Sequence, residues 1–172
     1  LLIGYYTYLY LNSDEAEKTK NVEAETSLIV DKKNYNKIVD LSYKSKDENG
    51  NIYEINSVSG NIDKEDENVL ILKDVTAKIF IYEYGNFFIN SNIARYNKLN
   101  LDTHFFDNVN LLYQDHNIKS QDLFLNYSEK EVKISNNVTY NNQNNVLLAD
   151  EVRLDLVTKI SKIYMNENNK KV

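Results

Sequence analysis

Residues Ile52–Val58 read IYEINSV, which sets apolar side chains between polar ones as a half-buried strand does. The pair Asn49-Gly50 stands just before this stretch and is a strong signal for a tight turn, and Tyr84-Gly85 is a second turn signal. The same kind of alternation continues from about Val22 towards the end of the chain. The sequence therefore predicts antiparallel strands joined by short turns.

An internal repeat runs through these strands. Taking Ser57, Ser91, Ser120 and Ala149 as anchors, the units are spaced 34, 29 and 29 residues apart. Apolar residues recur two positions before and fourteen after the anchors, and a valine recurs eighteen after, each valine following Asp or Asn. These positions are Ile55, Ile89, Ile118 and Leu147; Ile71, Phe105, Ile134 and Ile163; and Val75, Val109 and Val138. Units of this kind are expected to stack into one sheet and to bury their apolar faces against their neighbours.

Composition narrows the possible functions. The 172 residues are enough for one domain, and a net charge of −6 argues against binding the backbone of a nucleic acid. The chain has no Cys, which excludes disulfides, thiolate zinc sites and Cys nucleophiles, and its two His cannot form a three-His metal site. We therefore expect no cofactor and no metal.

The first residues, Leu1–Leu11, are almost entirely apolar. Eleven residues of helix span about 17 Å, roughly half of the hydrocarbon layer of a membrane. We expect residues 1–12 to be the C-terminal part of a membrane anchor, followed by a linker at 13–21, a β domain at 22–165 and a polar tail at 166–172. A buried N-terminal strand or a signal sequence that is cleaved off remains the alternative.

Four stretches carry a resemblance to a known family. They are Tyr53–Gly60 after the Asn49-Gly50 turn, Val69–Ala77, Phe88–Ser91 and Ile118–Ser120. In these stretches and in the order of its parts, the chain resembles the LptC family of lipopolysaccharide export and the wider OstA-like group that contains LptA. The resemblance implies an all-β fold, an OstA-like bent, V-shaped β-jellyroll of antiparallel strands, preceded by the end of an N-terminal transmembrane helix.

The resemblance also implies a function without chemistry of its own, so that the protein is not an enzyme. Members of this family accept lipopolysaccharide from the inner-membrane ABC exporter and pass it to the periplasmic protein LptA. LptA docks at the C-terminal edge strands, here about Val146–Asp155 and Lys159–Tyr164, and the N-terminal edge pairs with a membrane subunit of the exporter. The implied location is the inner membrane, crossed once, with the β domain in the periplasm.

In the family the acyl chains of the lipid lie in a hydrophobic groove, and the repeated apolar positions supply one apolar face for it. The same face would be expected in any β core, so plain packing remains an alternative interpretation of each position. The predicted groove residues are Ile55, Ile71, Val75, Ile89, Phe105, Val109, Ile118, Ile134, Val138, Leu147 and Ile163.

Other functions find less support in the sequence. His104 should face away from the apolar side of its strand, and His116 should lie in a turn, so a catalytic triad has no basis. A glycan-binding or adhesive β module is the second candidate, and a row of exposed Tyr among the 14 of the chain would favour it. The chain has only two Arg, Arg95 and Arg153, to clamp phosphates, which leaves the identity of the lipid open.

Overall fold

The computed structural model describes residues 24–30, 37–143 and 145–165, with side chains from Val39 onward. The predicted anchor, linker and tail lie outside these residues. No helix in the described part could cross a membrane. Its ten strands are β1 (Ala24–Val30), β2 (Lys37–Lys46), β3 (Ile52–Ile62), β4 (Val69–Ile81), β5 (Gly85–Asn97), β6 (Thr103–Tyr113), β7 (His116–Asn126), β8 (Glu131–Asn142), β9 (Asn145–Asp155) and β10 (Ser161–Tyr164).

All ten strands belong to one antiparallel sheet in which each strand pairs with the next along the chain. The predicted turns at Asn49-Gly50 and Tyr84-Gly85 are confirmed, and both glycines have the positive φ, 80° and 97°, that such turns need. One face of the sheet, here called the inner face, is buried, and the other is the outer face. The central row of the inner face crosses eight strands in register: Gly60, Leu72, Ala94, Phe105, Leu123, Ile134, Val152 and Ile163.

The anchors and valines of the sequence repeat form a second row of the inner face. Its small anchors lie directly opposite its valines, so that a small side chain always meets a larger one. The pairs are Ser57 with Val75, Val75 with Ser91, Val109 with Ser120, and Val138 with Ala149.

The Asp or Asn before each valine marks an irregularity in the strand. Asp74, Asn108 and Asn137 have φ values of 52°, 59° and 59°, in the left-handed region that Asp and Asn tolerate better than other residues with side chains. The strand register shifts beside two of them, between Phe106 and Val109 and between Ser135 and Val138. Such bulges bend a strand and increase its twist, and here they lie along the middle of the sheet.

The bent sheet folds over onto its own inner face. In a flat sheet the residue of β5 in register with Tyr43 is Ile89, through Ile55 and Ala77. Tyr96 lies seven residues further along β5, about 23 Å away at 3.3 Å per residue. The rings of Tyr43 and Tyr96 nevertheless lie only 4.9 Å apart between centroids. This contact requires the two halves of the sheet to cross, which buries the inner face without a second sheet.

Candidate functional site: the inner face and its C-terminal end

Most of the predicted groove residues lie on the inner face and are buried by the folded sheet. Phe105 and Ile89 are wholly buried, and the other members of this group are at most 8% exposed. Leu147 is half-buried, and Ile163 is 49% exposed. The buried group consists of Ile55, Val75, Ile89, Phe105, Val109, Ile118, Ile134 and Val138.

Ile71 departs from this pattern. It pairs with Arg95 and Asn61 and lies on the outer face, while its neighbour Leu72 is wholly buried in the central row of the inner face. The turn between β3 and β4 is one residue longer than the turn between β5 and β6. The inward position therefore lies fifteen residues after the anchor Ser57, whereas it lies fourteen residues after the other anchors. Leu72, which the sequence pattern passed over, takes the inward position.

The exposure of the inner face rises sharply at its C-terminal end. Along the central row, Phe105 is 0% exposed, Ile134 1%, Val152 4% and Ile163 49%. The core of the sheet is therefore closed, and the apolar inner surface becomes accessible at β9 and β10.

Two contacts between turns hold the folded sheet closed, and the first is buried. One oxygen of the Asp47 carboxylate accepts hydrogen bonds from the backbone N–H groups of Asn49 and Asn51 at 2.9 and 3.0 Å. The other accepts the side-chain amide of Asn51 and the hydroxyl of Tyr53, both at 3.0 Å. The Lys130 ammonium, from the turn between β7 and β8, lies 3.5 Å from that second oxygen. We call this set the first closure.

Aromatic rings surround the ion pair of the first closure. Lys130 Nζ lies 3.5 Å from the centroid of the Tyr127 ring, and the rings of Tyr53 and Tyr127 meet edge to face at 4.9 Å. The side chains of Lys130 and Asp47 are only 14% and 4% exposed. Burial, and then the neighbouring Asp47 carboxylate, raise the pKa of Tyr53, so its hydroxyl stays protonated and keeps donating.

The second contact, here called the second closure, is exposed. Lys159, in the turn between β9 and β10, places its ammonium 3.4 Å from Glu83 Oε2 and 4.4 Å from the centroid of the Tyr84 ring. The Lys159 and Glu83 side chains are 26% and 65% exposed. A cleft of about 70 Å³ lies beside the pair, and its apolar lining is Ile81, Tyr84, Phe87, Leu154, Leu156 and Ile160.

The turn that carries Lys159 is well ordered by its own hydrogen bonds. The Asp155 carboxylate accepts the backbone N–H groups of Val157 and Thr158, both at 2.8 Å, and its carbonyl accepts that of Lys159 at 2.7 Å. Bonds to the Thr158 backbone and side chain lower the pKa of Asp155. The N–H of Leu156 donates to the carbonyl of Lys130, so the turn is fastened to the first closure at its start.

The C-terminal edge of the sheet is only partly covered. Within the described residues, β10 pairs with Glu151–Leu154 alone. Residues 145–150 of β9 therefore have no neighbouring strand on the side away from β8, and we call this side the outer edge of β9. Val146 and Leu148 in this segment are 69% and 68% exposed. An edge of this kind can accept an extended segment of another chain.

Both histidines have polar side-chain partners. His104 lies on the outer face, as predicted, and its Nε2 is 2.9 Å from Asp122 Oδ1. His116 was expected in a turn, but it is the first residue of β7, and its Nδ1 lies 2.6 Å from the hydroxyl of Tyr140. The turn is confined to the two residues before it, since the pairing of Tyr113 with His116 already continues the strand ladder.

The tyrosines of the described residues divide between the core and the surface, where Tyr82, Tyr84 and Tyr164 are 44–60% exposed. Tyr43, Tyr53, Tyr96 and Tyr127 are 2–8% exposed and belong to the core. Burial, followed by contact with Tyr43, raises the pKa of Tyr96. These four buried rings are therefore not available for stacking against a sugar.

Both arginines are already engaged. Arg95 lies 3.2 Å from Asp63, and Arg153 bonds to Glu151, which also pairs with Lys133 at 3.0 Å. The hydrogen bond from Arg153, followed by that from Lys133, lowers the pKa of Glu151. Neither guanidinium is directed to the inner face.

Comparison with known proteins gives one kind of match. No protein-family model matches the sequence, and no curated protein sequence is similar to it. The fold is similar to the crystal structure of LptH, the LptA-homologous periplasmic component of the conserved lipopolysaccharide transport device from Pseudomonas aeruginosa. The TM-score is 0.50 at 8% sequence identity, over 69% of this chain and 85% of LptH. The chain therefore has an LptA-like β-jellyroll fold, as predicted.

Proposed function

We propose that this protein carries lipopolysaccharide by holding its acyl chains against the inner face of the sheet. The observation that supports the proposal is the exposure of apolar inner surface at β9 and β10, next to a core of the same character. Burial of acyl surface against such side chains is worth about 25 cal/mol per Å², and contacts of this kind have no fixed direction. A surface of this type can bind a lipid and release it again, which suits transport rather than chemistry.

We base the proposed position of this protein in the transport route on its resemblance to the LptC family and on its LptA-like fold. In this proposal the protein is anchored once in the inner membrane through residues 1–12, and its β domain stands in the periplasm. It receives the lipid from the inner-membrane ABC exporter. The outer edge of β9, with Val146 and Leu148 exposed beside it, is where LptA would add its own strand.

Two neighbouring leucines of β9 allow a sharp test. Leu147 is half-buried on the inner face, and Leu148 is 68% exposed on the outer face. A photoreactive phenylalanine analogue is placed at one or the other position, and the protein is illuminated with purified lipopolysaccharide. We expect crosslinking at 147 and little at 148. Equal crosslinking would indicate adsorption, and absence of crosslinking at both in a folded protein would reject lipid transport.

A further inference from the structure

We infer that the second closure is a gate for an anionic lipid, in which Lys159 exchanges its partner Glu83 for the acidic group of the lipid while the acyl chain enters between the two turns. The inference rests on the proposed function, because it assigns to that lipid a place of admission. It concerns the cleft between the turn at Tyr82–Tyr84 and the turn at Leu156–Ile160.

The closed state of the inner face makes a gate necessary. The residues best suited to hold an acyl chain, such as Ile89 and Phe105, are wholly buried by the crossing halves of the sheet. The cleft at the second closure has about 70 Å³, space for about two water molecules. An acyl chain can therefore move from the accessible surface at β9 and β10 to the buried part of the inner face only if the halves separate somewhere.

The second closure is where separation is easiest. Its charges are exposed, and an exposed ion pair contributes little to stability, whereas the first closure has a buried carboxylate with every oxygen bonded. Beyond Leu156, which is bonded to Lys130, the chain has Val157 at 57% and Ile160 at 56% exposed. The turn from 157 to 160 projects from the β9–β10 hairpin, so it can move away from Glu83 together with that hairpin while the first closure stays intact.

The chemistry of the cleft matches a lipid with an acidic group. Phe87, Leu154 and Leu156 are among its apolar lining residues, and Lys159, which also lines it, has its ammonium 3.4 Å from Glu83 Oε2. The charged groups at the cleft are Lys159 and Asp155 in its lining and Glu83 beside Lys159, with Lys162 near Asp155 on β10. The Asp155 carboxylate is occupied by backbone N–H groups, so Glu83 is the group that competes with an incoming anion.

Competition predicts opposite effects for the two members of the pair. Uptake is followed by fluorescence with palmitate that carries an anthroyloxy group, and with the corresponding neutral alcohol. We expect Glu83→Gln to raise the rate of palmitate uptake about three- to fivefold and Lys159→Gln to lower it by a similar factor. The matched control is Lys119→Gln, an exposed lysine of β7 in register with Asn110, which should leave the uptake rates of both probes unchanged. Changes in the same direction at Glu83 and Lys159 would overturn the exchange.

A second measurement needs no lipid. Amide hydrogen exchange is compared between the wild type and Glu83→Gln, and we expect faster exchange in residues 84–87 and 156–161 only. Exchange in residues 45–53 and 127–132, around the first closure, should not change. Unchanged exchange at the second closure would overturn the gate whether or not the probes bind. Faster exchange there, with no uptake of either probe by any variant, would overturn the proposed function and with it the lipid as occupant.

A crosslink tests whether the gate must open. The natural chain has no Cys, so Glu83→Cys with Lys159→Cys can be bridged by a short bismaleimide. We expect the bridge to reduce palmitate uptake at least tenfold. The control joins Glu48→Cys to Glu129→Cys, in the two turns of the first closure, and should leave uptake unchanged. Equal uptake before and after bridging at the second closure would show that the lipid enters elsewhere.

Discussion

The two closures join equivalent parts of the sheet but differ in how they hold it. The first joins the β2–β3 turn to the β7–β8 turn, and the second joins the β4–β5 turn to the β9–β10 turn. In both cases the two turns are five strands apart and lie at opposite ends of the strands. The first closure places its Asp47 carboxylate at 4% exposure with five hydrogen-bond or ion-pair contacts. The second leaves its Glu83 carboxylate at 65% exposure with one ammonium beside it.

The difference indicates that one part of the sheet holds the inner face closed and another part gives access to it. The β2–β3 and β7–β8 turns fasten the sheet, whereas the inner face is accessible at β9 and β10. A buried pair is costly to break, because the partner that remains is left charged and without solvent. An exposed pair can be exchanged for water or for another ion at almost no cost. The exposure along the central row follows the same division, from wholly buried at Phe105 to half-exposed at Ile163.

The largest loss of stability is expected when a large side chain is removed from the closed part of the inner face. Phe105→Ala removes a wholly buried ring and should lower the free energy of unfolding by about 3–5 kcal/mol. Ile163→Ala, in the same row but 49% exposed, should cost less than about 1 kcal/mol. Urea unfolding followed by far-ultraviolet circular dichroism measures both. Similar losses at the two positions would contradict the division between a closed core and an accessible end.

Breaking the first closure comes next. Asp47→Ala leaves the Lys130 ammonium and the Tyr53 hydroxyl without their shared acceptor and should cost about 3 kcal/mol. Glu48→Ala, an exposed neighbour in the same turn, is the control and should change stability by less than about 0.5 kcal/mol. The same urea titrations apply. A loss below about 1 kcal/mol for Asp47→Ala would mean that the first closure is not what fastens the sheet.

The packing of the central row can be tested at its one glycine. A Cβ at Gly60 would lie 2.7 Å from the backbone oxygen of Ile71 and 2.9 Å from Leu72 Cδ2. Because the backbone oxygen cannot move aside, Gly60→Ala should cost about 2 kcal/mol. Ser59→Ala, on the outer face of the same strand, should be nearly neutral. Equal stability of Gly60→Ala and wild type would indicate that β3 and β4 separate more easily than their contact suggests.

The sequence was sufficient for the strands and for much of their alignment. Alternation and turn residues placed β3, the turn before it and the turn between β4 and β5, since these features depend on side chains close together in the chain. The repeat located the small anchors and the valines that face them, because a sheet of consecutive hairpins turns a period in sequence into a row in space. The residues before Val75 and Val109 were noticed as Asp and Asn, and their left-handed φ now explains that preference.

Other features of the fold cannot be predicted from the spacing of the sequence repeat. The position of Ile71 depends on one additional turn residue, which moves the inward position to Leu72. The contact of Asp47 with Lys130 depends on how strongly the sheet bends, and this is the sum of small twists over many strands. The sequence therefore indicated which residues are apolar and inward, but not that the folded sheet covers them.

The second closure should contribute little to overall stability. Lys159→Ala removes an exposed ion pair and a cation–π contact and should lower the free energy of unfolding by less than about 1 kcal/mol. Urea titration of this variant beside Asp47→Ala compares the two closures directly. A cost equal to that of Asp47→Ala would remove the contrast between them.

The smallest effect concerns pH and the turn that carries Lys159. Hydrogen bonds from the Thr158 and Val157 N–H groups keep the pKa of Asp155 below its usual value, about 4, so ionised Asp155 stabilises the folded turn at pH above about 4. This contribution is lost as the pH falls through the lower pKa of the folded state. Nuclear magnetic resonance of the Val157 and Thr158 amides from pH 7 to pH 2 should show a transition with its midpoint below about 4. Asp155→Asn should abolish the transition. A midpoint at or above about 4 in the wild type would mean that the Asp155 carboxylate does not order the turn that carries Lys159.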